Sequence, residues 1–109
     1  WNSSAGLDVR GLGGKAGAGG SWIQSPAMGL LHEVAHTVQN NSSPEQFKQD
    51  SVRDGSEYTD PEERRVITQV ESPAATALGE PTRAAHDGTQ VPAKTPPFPK
   101  DDIERVPKN

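Results

Sequence analysis

The chain has 109 residues, a length typical of one small domain, and only 30% of them are hydrophobic. Its net charge of −4 mixes 11 basic with 15 acidic residues, which argues against a nucleic-acid-binding surface. The sequence has no cysteine, so disulfide bonds are excluded and any metal site must use histidine and carboxylate ligands. No stretch is long and apolar enough to predict a membrane span.

The first 24 residues predict a short strand followed by a glycine-rich arm. Leu7 and Val9 alternate with more polar neighbours, which favours a strand at about residues 6–10. We expect either an edge strand that borders a substrate cleft and pairs with the substrate backbone, or a disordered arm. Segment 11–20 indicates a flexible loop; phosphate binding is disfavoured because no serine or threonine follows Lys15 and no helix begins there.

A helix is predicted from Ser25-Pro26, a good cap and first helical residue, to the polar stretch at 40–44. It carries the pattern His-Glu-x-x-His, with histidines at 32 and 36. Histidines four residues apart share one helix face, so both imidazoles can bind one Zn²⁺. Glu33 lies about a quarter turn away, where it can act as general base on a metal-bound water.

The apolar residues of this helix cover a broad arc that leaves out both histidines. We therefore expect the core to wrap most of the helix and the histidines to share the remaining gap. The alternative is an amphipathic helix with two surface histidines. The apolar arc consists of Ala27, Met28, Leu30, Leu31, Val34, Ala35 and Val38.

A second helix is predicted over residues 60–71, with Asp60 as cap and Pro61 as first helical residue. Glu63 falls in the middle of its apolar stripe. A lone carboxylate on a core-facing stripe is costly unless it is paired or bound to metal. A zinc site with two histidines and one glutamate needs such a carboxylate, so we predict Glu63 as the third ligand. The stripe consists of Val66, Ile67 and Val70.

Other assignments for these acidic residues remain open. Asp60 and Glu63 also fit a variant capping box, which needs no metal. Glu71 is the runner-up ligand and Glu62 the third candidate, and either acid could instead orient a histidine N–H. His86 could also be the third ligand, in a site of three histidines.

Residues 40–60 are predicted to form a polar connection with a turn at Asp54-Gly55, and a short helix is predicted over 73–78, closed by a glycine. Arg83 and His86 are candidates for stabilising the oxyanion of a tetrahedral intermediate, with Tyr58 a weaker one. The alternative for Arg83 is a surface salt bridge. Five prolines after residue 89 favour an extended tail.

Three elements in this order resemble a family of bacterial zinc-metallopeptidase effectors delivered by type III secretion and related toxin-tip domains of Rhs and other polymorphic toxins. They are the His-Glu-x-x-His helix, the pair Glu62-Glu63 opening a second helix, and Leu-Gly-Glu-Pro-Thr-Arg at 78–83. The first two are also similar to clostridial neurotoxin light chains, in which the acidic pair supplies the glutamate ligand. The resemblance covers roughly residues 25–88, and His86 stands where the family often has tyrosine.

The resemblance implies a secreted toxin that cleaves a protein in a target cell, with a possible cognate immunity protein or parent toxin scaffold. We predict a mainly α fold, at most α+β: a minimal zincin-like core over 25–88, an N-terminal arm over 1–24 and a proline-rich tail over 89–109. We predict a gluzincin-like zinc endopeptidase. The alternatives are a zinc-stabilised binding module without turnover and a zinc amidase acting on peptidoglycan or another non-protein substrate.

Overall fold

The computed structural model describes residues 2–92, which form a helical domain with a small antiparallel sheet. The strands are β1 (Ala5–Asp8), β2 (Ile23–Gln24) and β3 (Thr89–Pro92). The helices are α1 (Pro26–Ser42), α2 (Pro44–Asp50), α3 (Pro61–Val66) and α4 (Ser72–Leu78), with a 3-10 turn at Ala18–Gly20 and a π-helical turn at Ile67–Glu71. The predicted fold class, mainly α or at most α+β, is confirmed. Its zincin-like detail stays a prediction, and residues 93–109 of the predicted tail lie outside the described residues.

The sheet has the order β2-β1-β3, with both neighbours antiparallel to β1. Leu7 lies opposite Gln24 on one side and opposite Gln90 on the other. The prediction that β1 is an edge strand was therefore wrong. The reason is that residues 89–92, expected to begin the extended tail, pair along the whole of β1, with Pro92 in the outer strand where its missing N–H is tolerated.

Helix α1 begins and ends where the sequence predicts. The Ser25 side chain accepts a hydrogen bond from the Met28 amide at 3.3 Å, and Pro26 is the first helical residue. The cap is itself held, because the Glu80 carboxylate accepts hydrogen bonds from both the amide and the hydroxyl of Ser25. The N-terminus of α1 is thus fixed to the segment that follows α4.

The face of α1 that points inward differs from the prediction. Met28 and His32 are buried and His36 is half-buried, so the histidine face packs against the rest of the domain. Much of the predicted apolar arc is instead exposed: Leu30 is 41%, Val34 46% and Val38 58% accessible. The helix turns its histidines inward because α3 and the π turn present carboxylates to them.

Helix α2 was not predicted, since residues 44–50 were assigned to a polar connection. Pro44 occupies its first position, and its polar residues face solvent while Phe47 turns inward. The Phe47 ring lies edge-on to His36, with 6.3 Å between the ring centroids. The connection thus closes one side of the histidine cluster.

The segment 61–78 is one continuous helix rather than two. Asp60 caps it by accepting a hydrogen bond from the Glu63 amide at 2.8 Å, and Gly79 ends it in the left-handed region at φ 71°, as predicted. No break occurs at Ser72. The Ser72 amide instead bonds to the Ile67 carbonyl five residues earlier, and this spacing defines the π turn. Pro73 fits into the helix here because it has no amide hydrogen that would need an acceptor.

The glycine-rich segment 11–17 packs against residues 79–84, so the expectation of a flexible loop was wrong. The Ala84 amide bonds to the Leu12 carbonyl at 2.8 Å, and the Thr82 amide bonds to the Lys15 carbonyl at 2.9 Å. A Cβ at Gly14 would lie 1.9 Å from the Thr82 carbonyl oxygen, so this contact requires glycine. This segment, the glycine strap, holds the stretch that carries Arg83.

Gly14→Ala should destabilise the domain because the new methyl group collides with backbone that cannot move aside cheaply. We expect a loss of about 1–3 kcal/mol, as for overpacked cores, measured by denaturant unfolding. Gly55→Ala is the control, because Gly55 has open space around its Cβ position and only its φ of 76° to oppose the change. Wild-type stability in Gly14→Ala would contradict the role of the strap.

Candidate metal centre

Three side chains from two helices converge on one point. His32 Nε2 lies 3.0 Å from His36 Nε2 and 3.0 Å from Glu63 Oε2, and His36 Nε2 lies 2.5 Å from Glu63 Oε1. His32 and His36 come from adjacent turns of α1, and Glu63 from the first turn of α3. One ligand atom from each residue lies within 4.8 Å of the others, so the group can hold a metal ion.

The outer nitrogen of each of these histidines is held by a second carboxylate. Glu71 accepts from His32 Nδ1 at 3.0 Å, and Glu62 accepts from His36 Nδ1 at 2.7 Å. Because an ionised carboxylate only accepts hydrogen bonds, both Nδ1 atoms carry a hydrogen, so a neutral ring turns its Nε2 lone pair inward. The contacts of both Nε2 atoms with the Glu63 carboxylate then call for a further proton or a metal ion on the inner side. Two lone pairs 3.0 Å apart repel each other unless a proton or a metal cation lies between them.

The spacing of the donor atoms suits a tetrahedral ion. Bonds of about 2.0–2.1 Å to nitrogen and oxygen separate tetrahedral ligand atoms by about 3.3 Å. The two nitrogens lie 3.0 Å apart, and they lie 3.0 and 2.5 Å from the two different oxygens of Glu63, so the ligand atoms would have to move apart by several tenths of an ångström to hold the ion. Two imidazoles and one carboxylate are a donor set typical of zinc, so these residues fit the ion that the sequence predicts.

The electrostatics of the cluster also favour a cation. Burial lowers the pKa of His32, but hydrogen bonds with Glu63 and Glu71 outweigh this effect and raise it from 6.5 to about 9. Burial raises the pKa of Glu63, yet hydrogen bonds from the three histidines hold it well below its usual range. Without a metal ion, the cluster therefore retains a proton that zinc would have to displace.

The π turn brings Glu71 to this site. Eight residues of regular helix would place Glu71 about 80° around the axis from Glu63, whereas one extra residue in a π turn reduces the offset to about 20°. Glu71 is 1% exposed and lies outside the donor group, so it contacts His32 from behind. Glu63 thus belongs to the group that could hold a metal ion, whereas Glu71, the runner-up, lies outside it.

Arg83 forms a salt bridge with Glu71. Its Nε donates to Glu71 Oε2 at 2.9 Å and its terminal nitrogen to Oε1 at 2.8 Å, and both side chains are buried. Gln24, also buried, donates to the same carboxylate at 3.3 Å. Burial raises the pKa of Glu71, but the bonds from His32 and Arg83 outweigh it and lower the pKa to about 2. The arginine forms a salt bridge, as the alternative interpretation proposed, although a buried one.

His86 reaches the cluster from the segment after α4. Its Nε2 lies 2.5 Å from Glu63 Oε2, and its ring stacks on that of His32 with 5.7 Å between centroids. His86 is not part of the group whose ligand atoms all lie within 4.8 Å of one another. It therefore contacts Glu63 and does not join the group that could hold a metal ion.

A cleft of about 350 Å³ opens beside the cluster. Glu33, His32 and His86 line one part of it, and β1 lines another through its residues Ala5–Leu7. The Glu33 side chain is exposed, and no hydrogen bond or ion pair within residues 2–92 engages its carboxylate. An unengaged carboxylate next to a metal-binding group is free to accept a proton.

Sequence reasoning missed two polar residues that support the site. Gln24 gave no signal because its position in a two-residue strand is set by pairing with β1. Thr59, whose hydroxyl lies 3.2 Å from His86 Nδ1, sits in a connection that shows no periodicity. Tyr58, the weaker oxyanion candidate, has no hydrogen bond to the cluster within the described part of the chain.

Comparisons with models of protein families, with curated proteins and with solved structures found no match to this chain. The resemblance to zinc-metallopeptidase effectors therefore stays a prediction that depends on the three sequence elements. Within residues 2–92, none of the helices has the length and apolar character needed to cross a membrane.

Glu62→Gln should weaken zinc binding by about 10–100-fold, as is typical when an outer partner of a ligating histidine is lost. The fold should survive, because the other partner of Glu62, Arg65, is partly exposed and keeps a charged head in water. Isothermal titration with zinc measures the effect, and Glu45→Gln on the exposed face of α2 is the matched control. Unchanged affinity in Glu62→Gln would contradict the outer role of this carboxylate.

The metal-free protein should lose stability as pH rises. His32 has a folded-state pKa raised to about 9 from 6.5, so its contribution is complete below pH 6.5 and disappears as pH approaches 9. Zinc should reverse this trend, because deprotonated histidines bind it better at higher pH. Melting temperatures between pH 6 and 9.5, with chelator and with zinc, measure both effects. If the stability of the metal-free protein does not fall over this pH range, the raised pKa of His32 in the folded state is contradicted.

Proposed function

We propose that this chain is a zinc-dependent endopeptidase. The observation that carries the proposal is the convergence of His32 Nε2, His36 Nε2 and Glu63 on one point, with the carboxylates of Glu71 and Glu62 at the outer nitrogens of the two histidines. A structural histidine pair needs no such arrangement. The cleft beside the group and the unengaged carboxylate of Glu33 support a catalytic use of the bound ion.

When bound, zinc would supply a Lewis acid that lowers the pKa of a coordinated water to about 7. Glu33, on the cleft wall one residue from a ligand, then takes the proton of the attacking water and delivers it to the leaving amine. His86, whose Nε2–H contacts Glu63 in this arrangement, would turn that hydrogen to the developing oxyanion. Arg83 acts through Glu71, whose charge and position it fixes, rather than by contact with the reacting atoms.

The resemblance supports the rest of the proposal. On the basis of this resemblance, we propose that the substrate is a protein in a target cell and that a bacterial secretion system delivers the chain. The proposed partner is an immunity protein or a parent toxin scaffold. The cleft contributes one physical point, since Ala5–Leu7 of the central strand β1 line it and a bound peptide would lie against the sheet. The proposal assigns no nucleic-acid or membrane partner.

A zinc-stabilised binding module without turnover is the second candidate. One observation favours it: the buried hydrophobic core of the described residues is small, and the histidine–carboxylate cluster joins α1, α3, the π turn and the segment after α4. A metal at this junction would stabilise the fold whether or not catalysis occurs. A zinc amidase with a non-protein or peptidoglycan substrate shares the same site, so only a screen of substrates separates it from the endopeptidase.

Glu33→Gln should keep the fold and the bound zinc but lower the cleavage rate by about 10²–10⁴-fold, the usual effect of a lost general base. Zinc-loaded wild-type and variant domains are incubated with a proteome-derived peptide library, and mass spectrometry reports new termini. Glu45→Gln again serves as the control. Equal cleavage by Glu33→Gln would contradict the mechanism, and no cleavage by the zinc-loaded wild type would favour the binding module.

A further inference from the structure

Thr59 holds a strained backbone conformation. Its φ is 78°, and among residues 2–92 it is the one non-glycine residue in the left-handed region, which a β-branched side chain rarely adopts. The turn around it fixes this geometry, because the Thr59 amide bonds to the Ser56 carbonyl at 3.1 Å and its carbonyl accepts from the Asp54 amide at 3.0 Å. Strain of this kind persists where the surrounding structure over-determines it, often at functional sites.

The strained turn holds His86 at two points. The Thr59 hydroxyl lies 3.2 Å from His86 Nδ1, and the Glu57 carbonyl accepts a hydrogen bond from the His86 amide at 2.8 Å. The ring of His86 has two nitrogens, and its Nε2 contacts Glu63. The turn therefore controls the outer nitrogen and the backbone of the residue whose inner nitrogen enters the cluster.

The outer partners distinguish His86 from the two histidine ligands. His32 and His36 each face a carboxylate at Nδ1, which only accepts, so a neutral ring of either residue has its lone pair on Nε2, where a metal ion could bind. His86 faces a hydroxyl at Nδ1, and a hydroxyl can donate. The contact of His86 Nε2 with the carboxylate of Glu63 requires a hydrogen on Nε2, so a neutral His86 ring accepts from Thr59.

We propose that Thr59 is a positioning residue that fixes the Nε2–H tautomer of His86 and makes it a hydrogen-bond donor instead of a metal ligand. The inference deepens the proposed function, on which its catalytic part depends. In that function, His86 lines the cleft and would shift its Nε2–H from Glu63 to the oxyanion of the substrate. The strain at Thr59 places its hydroxyl where it can fix this tautomer.

Four variants distinguish the effect of the Thr59 hydroxyl from the effect of the strained backbone at this residue. Thr59→Ala and Thr59→Gly both remove the hydroxyl, while Thr59→Gly also relieves the positive φ. We expect both to lower kcat by about tenfold at unchanged KM and zinc content, with a raised melting temperature in Thr59→Gly. Thr59→Ser should retain most of the activity. Thr76→Ala, on the exposed face of α4, is the matched control.

A double-mutant cycle tests whether Thr59 acts through His86. In a His86→Ala background, Thr59→Ala should have no further effect on kcat, because the group that it positions is gone. An additional loss in that background, or full activity in Thr59→Gly, would overturn the inference.

A second readout does not depend on turnover. Nitrogen-15 NMR of the zinc-loaded chain should show His86 protonated at Nε2 in wild type and in Thr59→Ser, and mixed between tautomers in Thr59→Ala. A wild-type His86 protonated at Nδ1 would overturn the inference even if the protein cleaves peptides. The expected tautomers in a protein that cleaves nothing would support the role of Thr59 and contradict the proposed function.

Discussion

The structure depends on a conflict that its own residues create: two imidazoles, if neutral, would direct lone pairs at each other and at a carboxylate, all within about 3 Å in a partly buried site. Glu71 and Glu62 enforce the conflict because they accept the outer protons of both histidines. A retained proton or a metal ion would resolve it, and two histidines with one glutamate are a donor set that zinc can use. The inward histidine face of α1 and the continuous helix 61–78 both serve this arrangement.

The residues of the cluster are held in place by a second set of hydrogen-bonded residues around them. Arg83 and Gln24 hold Glu71, and Glu71 holds His32. The glycine strap in turn bonds to residues 82 and 84 and so places Arg83 between them. In a chain with few buried hydrophobic residues, this chain of hydrogen bonds contributes much of the order that a larger core would supply.

The sequence predicted the parts of the site that depend on local rules. The four-residue spacing of His32 and His36, the cap at Asp60 and the position of Glu63 follow from helical periodicity, and the structure shows each. Long-range packing decided the rest. Leu30 and Val34 face solvent because the opposite face of α1, which carries the histidines, packs against the carboxylates of α3. The π turn, the pairing of β3 with β1 and the contact of Thr59 with His86 leave no periodic signal in the sequence.

The most direct test of a metal centre at this cluster is zinc stoichiometry and affinity, measured by elemental analysis and calorimetry on the wild type beside Glu63→Ala. The account predicts about one zinc per wild-type chain and a loss of more than about 100-fold in affinity for Glu63→Ala, because losing a ligand exceeds losing an outer partner. A folded wild-type domain that takes up no zinc when the ion is supplied would contradict it. Wild-type affinity in Glu63→Ala would also contradict it.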